Sequence, residues 1–269
     1  MNLGFIGGGN MAAALIGGLL RKGYAAETMR VAEPLAARRA WLASEFGVAV
    51  EENAAETLGA DVILLAVKPQ QLAAVLRALP APAPAQLVLS IAAGVRAGDI
   101  ARWLGGHPSV VRAMPNTPAL VGAGVTGLYA LSGVSAPQKD WAEQVLSAVG
   151  EVLWVDDEGL IDAVTAISGS GPAYVFYFME ALEQAALALG LQAADARRLS
   201  LHTFFGAAAL AVQDASSPAE LRAKVTSKGG TTERGLRALE QAGVADAILS
   251  AARAAAERAG ELGDLLGRE

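Results

Sequence analysis

Asn2-Leu-Gly-Phe-Ile-Gly-Gly-Gly-Asn-Met-Ala12 is the stretch that decides the fold. Leu3 to Ile6 is a short apolar run of the kind that forms a buried strand, and it breaks into Gly7, Gly8 and Gly9. An apolar helical stretch, Ala12 to Leu20, follows at once. Gly7, Gly9 and Ala12 fill a G-x-G-x-x-A pattern. The first position permits a tight turn, the second lets the main chain approach a pyrophosphate, and the small third lets the helix pack close to the strand. The helix N-terminus then offers free N–H groups and a partial positive charge to phosphates. Lying directly between a strand and a helix, the pattern points to a dinucleotide site rather than an ordinary glycine turn.

Working outward, strands and helices alternate. Met29 to Glu33 reads as a second strand, Leu35 to Phe46 as an arginine-bearing helix, and Val48 to Val50 as a third strand. Asp61 to Val67 is a continuous apolar run typical of a central parallel strand. It stops at Lys68-Pro69-Gln70, where proline starts a helix. Gln86 to Ile91, Val110 to Met114 and Glu151 to Val155 are further strands, with helices over Ala97 to Leu104 and Pro137 to Val149. This alternation predicts a doubly wound α/β domain with a parallel sheet over residues 1–157. From Glu158 onward only helices are expected, so residues 158–269 read as an all-helical second domain. Its helices are rich in alanine and leucine around much of their circumference, which predicts burial in a homo-oligomer interface.

Composition narrows the classes. Hydrophobic residues make up 53% of the 269 and charged residues 18%, which argues against disorder. A net charge of −6 argues against nucleic acid and anionic membrane surfaces. The absence of cysteine excludes disulfides, thiolate metal sites and cysteine nucleophiles, and fits a reducing compartment. Leu3 to Leu20 is uncharged, but it lacks a basic leader and is interrupted by glycines, so it reads as strand, turn and helix rather than a signal or a span. The expectation is a soluble, cytoplasmic protein with no bound metal.

Ligands of open parallel sheets bind beyond the carboxyl ends of the strands. Four loops fall there: Gly7 to Met11 with Asn10, Ala66 and Val67 to Gln70, Ala92-Ala93-Gly94, and Met114 to Thr117 with Asn116. Glu33 ends the second strand, where an acid can bind the ribose 2′-OH of NAD and repel a 2′-phosphate. Arg38 and Arg39, a helical turn on, read as a solvated helix face. In the second half, Ser168-Gly-Ser-Gly-Pro-Ala-Tyr174 and Thr226-Ser-Lys-Gly-Gly-Thr-Thr232 precede helices, as small-anion sites or as plain caps. The two histidines fall in no motif: His107 is in a loop, and His202 reads as a packed residue of an apolar helix. The Asp156-Asp157-Glu158 run reads as a solvated linker and Asp162 as a cap or helix-dipole partner.

Taken together these motifs resemble the pyrroline-5-carboxylate reductase family over the whole length. The resemblance is carried by Gly-Phe-Ile-Gly-Gly-Gly-Asn-Met near the start, Ala-Val-Lys-Pro at 66–69 and Ser-Ile-Ala-Ala-Gly-Val at 90–95. It continues through Arg-Ala-Met-Pro-Asn-Thr-Pro-Ala at 112–119, Asp-Ala-Val-Thr at 162–165, Ser-Gly-Ser-Gly-Pro-Ala-Tyr at 168–174 and Gly-Gly-Thr-Thr at 229–232. It implies a Rossmann domain followed by a helical dimerisation domain, a homodimer often assembled into a decamer, and reduction of Δ1-pyrroline-5-carboxylate to L-proline with NADPH or NADH. By motif match, Gly7, Gly9, Asn10, Met11, Asn53, Ala66, Lys68, Pro69, Ala93 and Asn116 would line the cofactor. Ser227, Gly230, Thr231 and Thr232 would hold the substrate. Two departures stand out: Lys228 replaces a proline common among relatives, and Glu33 stands where NADPH-preferring relatives often carry small polar or basic residues.

A cyclic imine needs a hydride on carbon and a proton on nitrogen. The resulting expectation is that N–H groups around Gly229 to Thr232 bind the carboxylate, while the Thr232 hydroxyl meets the ring nitrogen. Two other classes share a dinucleotide-binding fold. A hydroxyacid dehydrogenase of similar plan would carry a lysine on its first long interdomain helix, and Pro172 to Leu189 has none. A non-catalytic nucleotide sensor would not need the intact serine and threonine loops.

Overall fold

Strand β1 (Leu3–Ile6) is buried along its whole length, with β2 (Met29–Ala32) and β4 (Val62–Leu65) paired parallel on its two sides. The computed structural model describes residues 1–268. With β3 (Ala49–Glu51), β5 (Leu87–Ser90), β6 (Val110–Met114), β7 (Gly124–Ala130) and β8 (Gly150–Trp154), these form one sheet in the order β3-β2-β1-β4-β5-β6-β7-β8. The chain reverses its direction of growth between β1 and β4, and that is where an open sheet of this kind has its crevice.

Helices α1 (Asn10–Arg21), α2 (Ala36–Phe46), α3 (Pro69–Arg77), α4 (Ala97–Trp103) and α5 (Ala136–Leu146) connect the strands. The core splits by the two-residue period of the strands. Val62 and Leu64 of β4 join Leu15, Ile16 and Leu19 of α1 on one face. Ile63 and Leu65 join Leu72 and Leu76 of α3 and Ile100 of α4 on the other.

One strand departs from the expected parallel sheet: β7 runs antiparallel to β6. Its connection is only the segment 115–123, a 3-10 turn over Thr117–Val121 closed by Gly122 in the left-handed region. That is too short for the crossover a parallel pair needs. β8, reached through α5, is parallel to β7.

The remaining helices are α6 (Leu160–Val164), α7 (Gly171–Ala188), α8 (Ala193–Gln213), α9 (Pro218–Lys224), α10 (Thr231–Gln241) and α11 (Val244–Leu266). The sequence reading divides the chain at 157/158, whereas the contacts give one unit of Met1–Ser170 with the stretch from Ala254, and another of Gly171–Arg253. The end of α11 returns to the first unit because Leu266 is buried in the α3–α4 core and Asp264 pairs with Arg96 at 2.6 Å. Within the second unit, the Ser200 hydroxyl of α8 donates to the Met179 carbonyl of α7 at 2.7 Å. Large apolar side chains there stand open, among them Phe176, Tyr177, Phe205 and Val212. His202 is exposed on α8, not packed as expected.

Candidate functional site

The first unit presents its ligand-facing geometry at the carboxyl ends of β1 and β4. Gly7 sits at φ +102°, and a Cβ there would lie 2.7 Å from the Ala66 carbonyl oxygen, so only glycine fits. Its N–H donates to Ala32 at 2.8 Å, and the Ala66 N–H donates to Ile6 at 2.8 Å, which ties the ends of β1, β2 and β4 together. Gly9 is the N-cap of α1; no side chain caps it, and the first turn holds no acid. A Cβ on Gly9 would have nothing within 4 Å, so the space before this N-terminus is open. The N–H groups of Gly9, Asn10 and Met11 make no hydrogen bond among the described residues. Unclaimed donors, a helix dipole and open space suit a pyrophosphate.

The adenosine end of such a crevice lies beside β2. Glu33 is buried, and its carboxylate accepts the Gly8 N–H at 3.0 Å and the Leu35 N–H at 3.0 Å. Arg38 and Arg39 are not a solvated face, contrary to the sequence reading. Arg38 Nε donates to the Gly8 carbonyl at 2.7 Å, and its guanidinium lies 4.1 Å from the Trp41 ring centroid. Arg39 Nη1 donates to the Glu33 and Pro34 carbonyls at 2.7 and 2.8 Å, and Nη2 pairs with Glu52 at 3.0 Å. Side chains that looked like surface therefore brace the glycine loop.

The other cofactor candidates line the same sheet edge. Lys68 is exposed at the N-cap of α3, with Pro69 at the first helical position, and Ala66 and Val67 are half-buried before it. Ala92 is buried, Ala93 exposed, and Gly94 takes φ +75°, backed by Leu266 and Leu262 of α11. Asn53 is exposed and caps a 3-10 turn through Ala55. Met114 is half-buried at the end of β6, and buried Asn116 accepts from the Val125 N–H at 2.9 Å and donates to the Ser168 carbonyl at 3.1 Å.

Ser168 lies in a π-helical turn, Thr165–Gly169, not in the loop expected. The Ser170 N–H donates to the Thr165 carbonyl at 2.8 Å, five residues back, and such bulges favour functional positions. A Cβ on Gly169 would stand 2.7 Å from Met114 Cε, so the tip of the Met114 side chain packs on the bare surface of the wide turn. Asp162 stands in the first turn of α6, as expected of a dipole partner, but Glu158 is not a residue of a solvated linker. Both pair with buried Arg112 of β6, at 3.4 and 3.2 Å, and Glu158 also accepts the Ala97 N–H of α4 at 2.7 Å. Local patterns carried no signal for this cluster.

In the second unit, Ser227, Lys228, Gly229, Thr231 and Thr232 are exposed and Gly230 is half-buried. Gly230 is the N-cap of α10. Glu233 accepts the Gly229 N–H at 2.8 Å, and the Gly230 N–H donates to Ser227 at 3.0 Å. The N–H groups of Thr231 and Thr232 make no such bond among the described residues.

Known proteins match this chain from end to end. Pyrroline-5-carboxylate reductase of Pseudomonas aeruginosa is 50% identical over 268 residues, covering 99% of this chain and 98% of the relative. This chain belongs to the pyrroline-5-carboxylate reductase family. A solved pyrroline-5-carboxylate reductase from Coxiella burnetii superposes with TM-score 0.92 at 42% identity, covering 97% of this chain and 98% of that one. A Plasmodium falciparum pyrroline carboxylate reductase with NADP bound gives TM-score 0.85 at 28% identity, covering 98% of both chains. The family model for pyrroline-5-carboxylate reductase dimerisation matches residues 158–262, and that for NADP oxidoreductase, coenzyme F420-dependent, matches residues 2–94. As a member of the reductase family, the chain is an NAD(P)H-binding oxidoreductase, and it carries the family's dimerisation segment. Among the described residues no helix is long and apolar enough to cross a membrane, and no group of three or more metal-ligating side chains occurs.

Proposed function

We propose that this chain reduces Δ1-pyrroline-5-carboxylate to L-proline in the cytoplasm, the last step of proline biosynthesis, with residues 1–157 binding the dinucleotide and residues 158–269 serving substrate binding and dimerisation. The observation that carries this reading is the end-to-end relationship to the reductase family, joined to an uncapped α1 N-terminus behind Gly7 and Gly9. Gly7, Gly9, Asn10 and Met11 hold the pyrophosphate, and Glu33 and Asn53 serve the adenosine side. Ala66, Val67, Lys68, Pro69, Ala92, Ala93, Gly94, Met114 and Asn116 line the rest of the cofactor crevice.

When bound, the reduced nicotinamide would supply a hydride to C5 of the protonated imine, whose C=N electron pair would return to the ring nitrogen and leave it as the secondary amine of proline. The chain's own residues position the substrate. Thr231 and Thr232 offer unclaimed main-chain N–H groups at the start of α10, where the helix dipole favours a carboxylate. Ser227, Gly229 and Gly230 shape that turn, with Glu233 holding the Gly229 N–H. The Thr232 hydroxyl meets the ring nitrogen, and Ser168 contributes a further polar contact. Positioning of this kind can supply roughly 7–11 kcal/mol of the barrier.

The exposed apolar faces of α7 and α8 pair with a second copy, giving a homodimer, and a decamer is built from that dimer. Light scattering that gave only the 27.4 kDa monomer would overturn this assembly. The activity test is oxidation of NADH and of NADPH with pyrroline-5-carboxylate, with proline formed in equal amount. Thr232→Val is expected to lower kcat/KM about 10- to 100-fold, the range for a lost hydrogen bond to a charged group. An unchanged value would remove Thr232 from the reaction.

A further inference from the structure

The charge arrangement around the adenosine side of the crevice carries more than dinucleotide binding. Glu33 closes β2 with its carboxylate on two main-chain donors, Gly8 N–H of the glycine loop and Leu35 N–H at the N-cap of α2. These are donors of the kind a 2′-phosphate uses where one is bound. Here a fixed carboxylate has taken them.

The two neighbouring arginines do not compensate. Arg38 is held by Nε on Gly8 and by stacking on Trp41, and its Nη2 is buried away from solvent without a protein partner among the described residues. Arg39 spends its guanidinium on the Glu33 and Pro34 carbonyls and on Glu52. Arg30 is paired with Glu51 at 2.8 Å. The acids Glu33, Glu51 and Glu52 thus balance Arg30, Arg38 and Arg39, leaving no surplus positive charge for a group that would bring about two negative charges. A ribose 2′-OH, by contrast, can donate to a Glu33 carboxylate oxygen, which still has lone pairs free.

We infer that Glu33, clamped between Gly8 and Leu35 and flanked by engaged arginines, makes this chain prefer NADH over NADPH. The inference rests on the proposed reductase reading for the use of the cofactor, but not for its binding. The test is therefore a binding measurement: fluorescence titration of the full chain with NADH and with NADPH, without substrate. Unmodified protein should bind NADH about tenfold more tightly or better, because juxtaposing like charges at a desolvated site is costly. Glu33→Gln keeps the side-chain length and one acceptor but removes the charge, and it should shift the ratio of the two Kd values towards NADPH about tenfold.

A purely structural role for Glu33 would weaken both cofactors alike and leave the ratio unmoved, which overturns the inference. Tighter NADPH binding by the unmodified chain also overturns it, needs no variant to fold, and leaves the reductase reading intact. Binding with the expected preference but no turnover of pyrroline-5-carboxylate would remove the reductase reading and keep the role of Glu33. Failure of both cofactors to bind would remove both.

Discussion

Asn116 ties Ser168 to the sheet: its carboxamide donates to the Ser168 carbonyl at 3.1 Å while accepting from the Val125 N–H of β7 at 2.9 Å. One buried side chain thereby fixes the π-helical turn against the antiparallel strand that follows β6. Asn116→Ala would leave both main-chain groups unpaired in partly buried surroundings, at a cost of about 1–3 kcal/mol. Asn116→Asp keeps the acceptor for Val125 but turns an oxygen towards the Ser168 carbonyl. Thermal unfolding should show both variants destabilised, and the KM for pyrroline-5-carboxylate should rise more than the Kd for NADH. Equal stability of Asn116→Asp and the unmodified chain would mean that the bond to Ser168 contributes nothing.

Arg112 is buried on β6 between Glu158 and Asp162, so the cluster is sensitive to removal of a partner. Glu158→Ala takes away one of two counter-charges and also the acceptor for the Ala97 N–H that starts α4. A buried ion pair broken on one side typically costs about 3–5 kcal/mol, and the partial exposure of Glu158 and Asp162 places this variant at the low end. At roughly 2–4 °C per kcal/mol, the melting temperature should fall by about 6 °C or more. Replacing Arg112 itself with Met removes the buried charge and should cost less than replacing Glu158. The opposite order in a calorimeter would show that the two carboxylates, not the arginine, dominate the cluster.

Several parts of this architecture can be read locally and others cannot. β4 announces itself because Val62 to Leu65 is apolar on both faces, and Gly7 because a strand running into a helix needs a turn there. α10 begins at Thr231, where the Gly-Gly-Thr-Thr run sets a helix start. The cluster of Arg112 with Glu158 and Asp162 joins residues about half a hundred positions apart, so no local period encodes it. α11 runs through Gly263, and the bare helix surface there leaves room for the Arg96 guanidinium, whose Nε lies 3.1 Å from where a Cβ would stand and which pairs with Asp264. The π-helical turn depends on a one-residue change of hydrogen-bond register, which leaves no mark on the hydrophobic pattern. Glu33 was legible as an acid at the end of β2, but the engagement of Arg38 and Arg39 with main-chain carbonyls exists only once the glycine loop is folded.

His107 gives the protein a pH dependence of known sign. It is buried in the loop before β6, with Nε2 2.9 Å from the Gln86 carbonyl, an arrangement that suits a neutral ring donating that N–H. Burial lowers its pKa below the ordinary 6.5, and the hydrogen bonds with Gln86 and Ser109 only partly offset this. The unfolded chain therefore takes up the proton first as pH falls, so this residue's contribution is complete above about pH 6.5 and is lost as pH drops through the lower folded value. Unfolding midpoints in urea should fall between pH 7 and pH 5 in the unmodified chain and less steeply in His107→Gln. Parallel profiles for the two proteins would assign the acid sensitivity to other groups.

Gly7→Ala tests the crevice at its narrowest point. The φ of +102° is a region alanine avoids, and the added methyl would meet the Ala66 carbonyl oxygen at 2.7 Å. Strain of about 1–3 kcal/mol from the backbone combines with a similar overpacking cost. The simplest relief is to separate the end of β1 from the end of β4, which breaks the Ala66 N–H bond to Ile6 and displaces Gly9 from the start of α1. NADH and NADPH should both lose affinity by the same factor, since the change acts on the shared pyrophosphate seat and not on the ribose. That common loss separates Gly7→Ala from Glu33→Gln, which should move the ratio. If Gly7→Ala unfolds, Gly9→Ala provides the second measurement, because its methyl enters open space in front of the helix without touching the protein. Unchanged affinity for both cofactors in a folded Gly9→Ala would show that no ligand approaches this N-terminus closely, and the crevice would have to be sought elsewhere on the sheet edge.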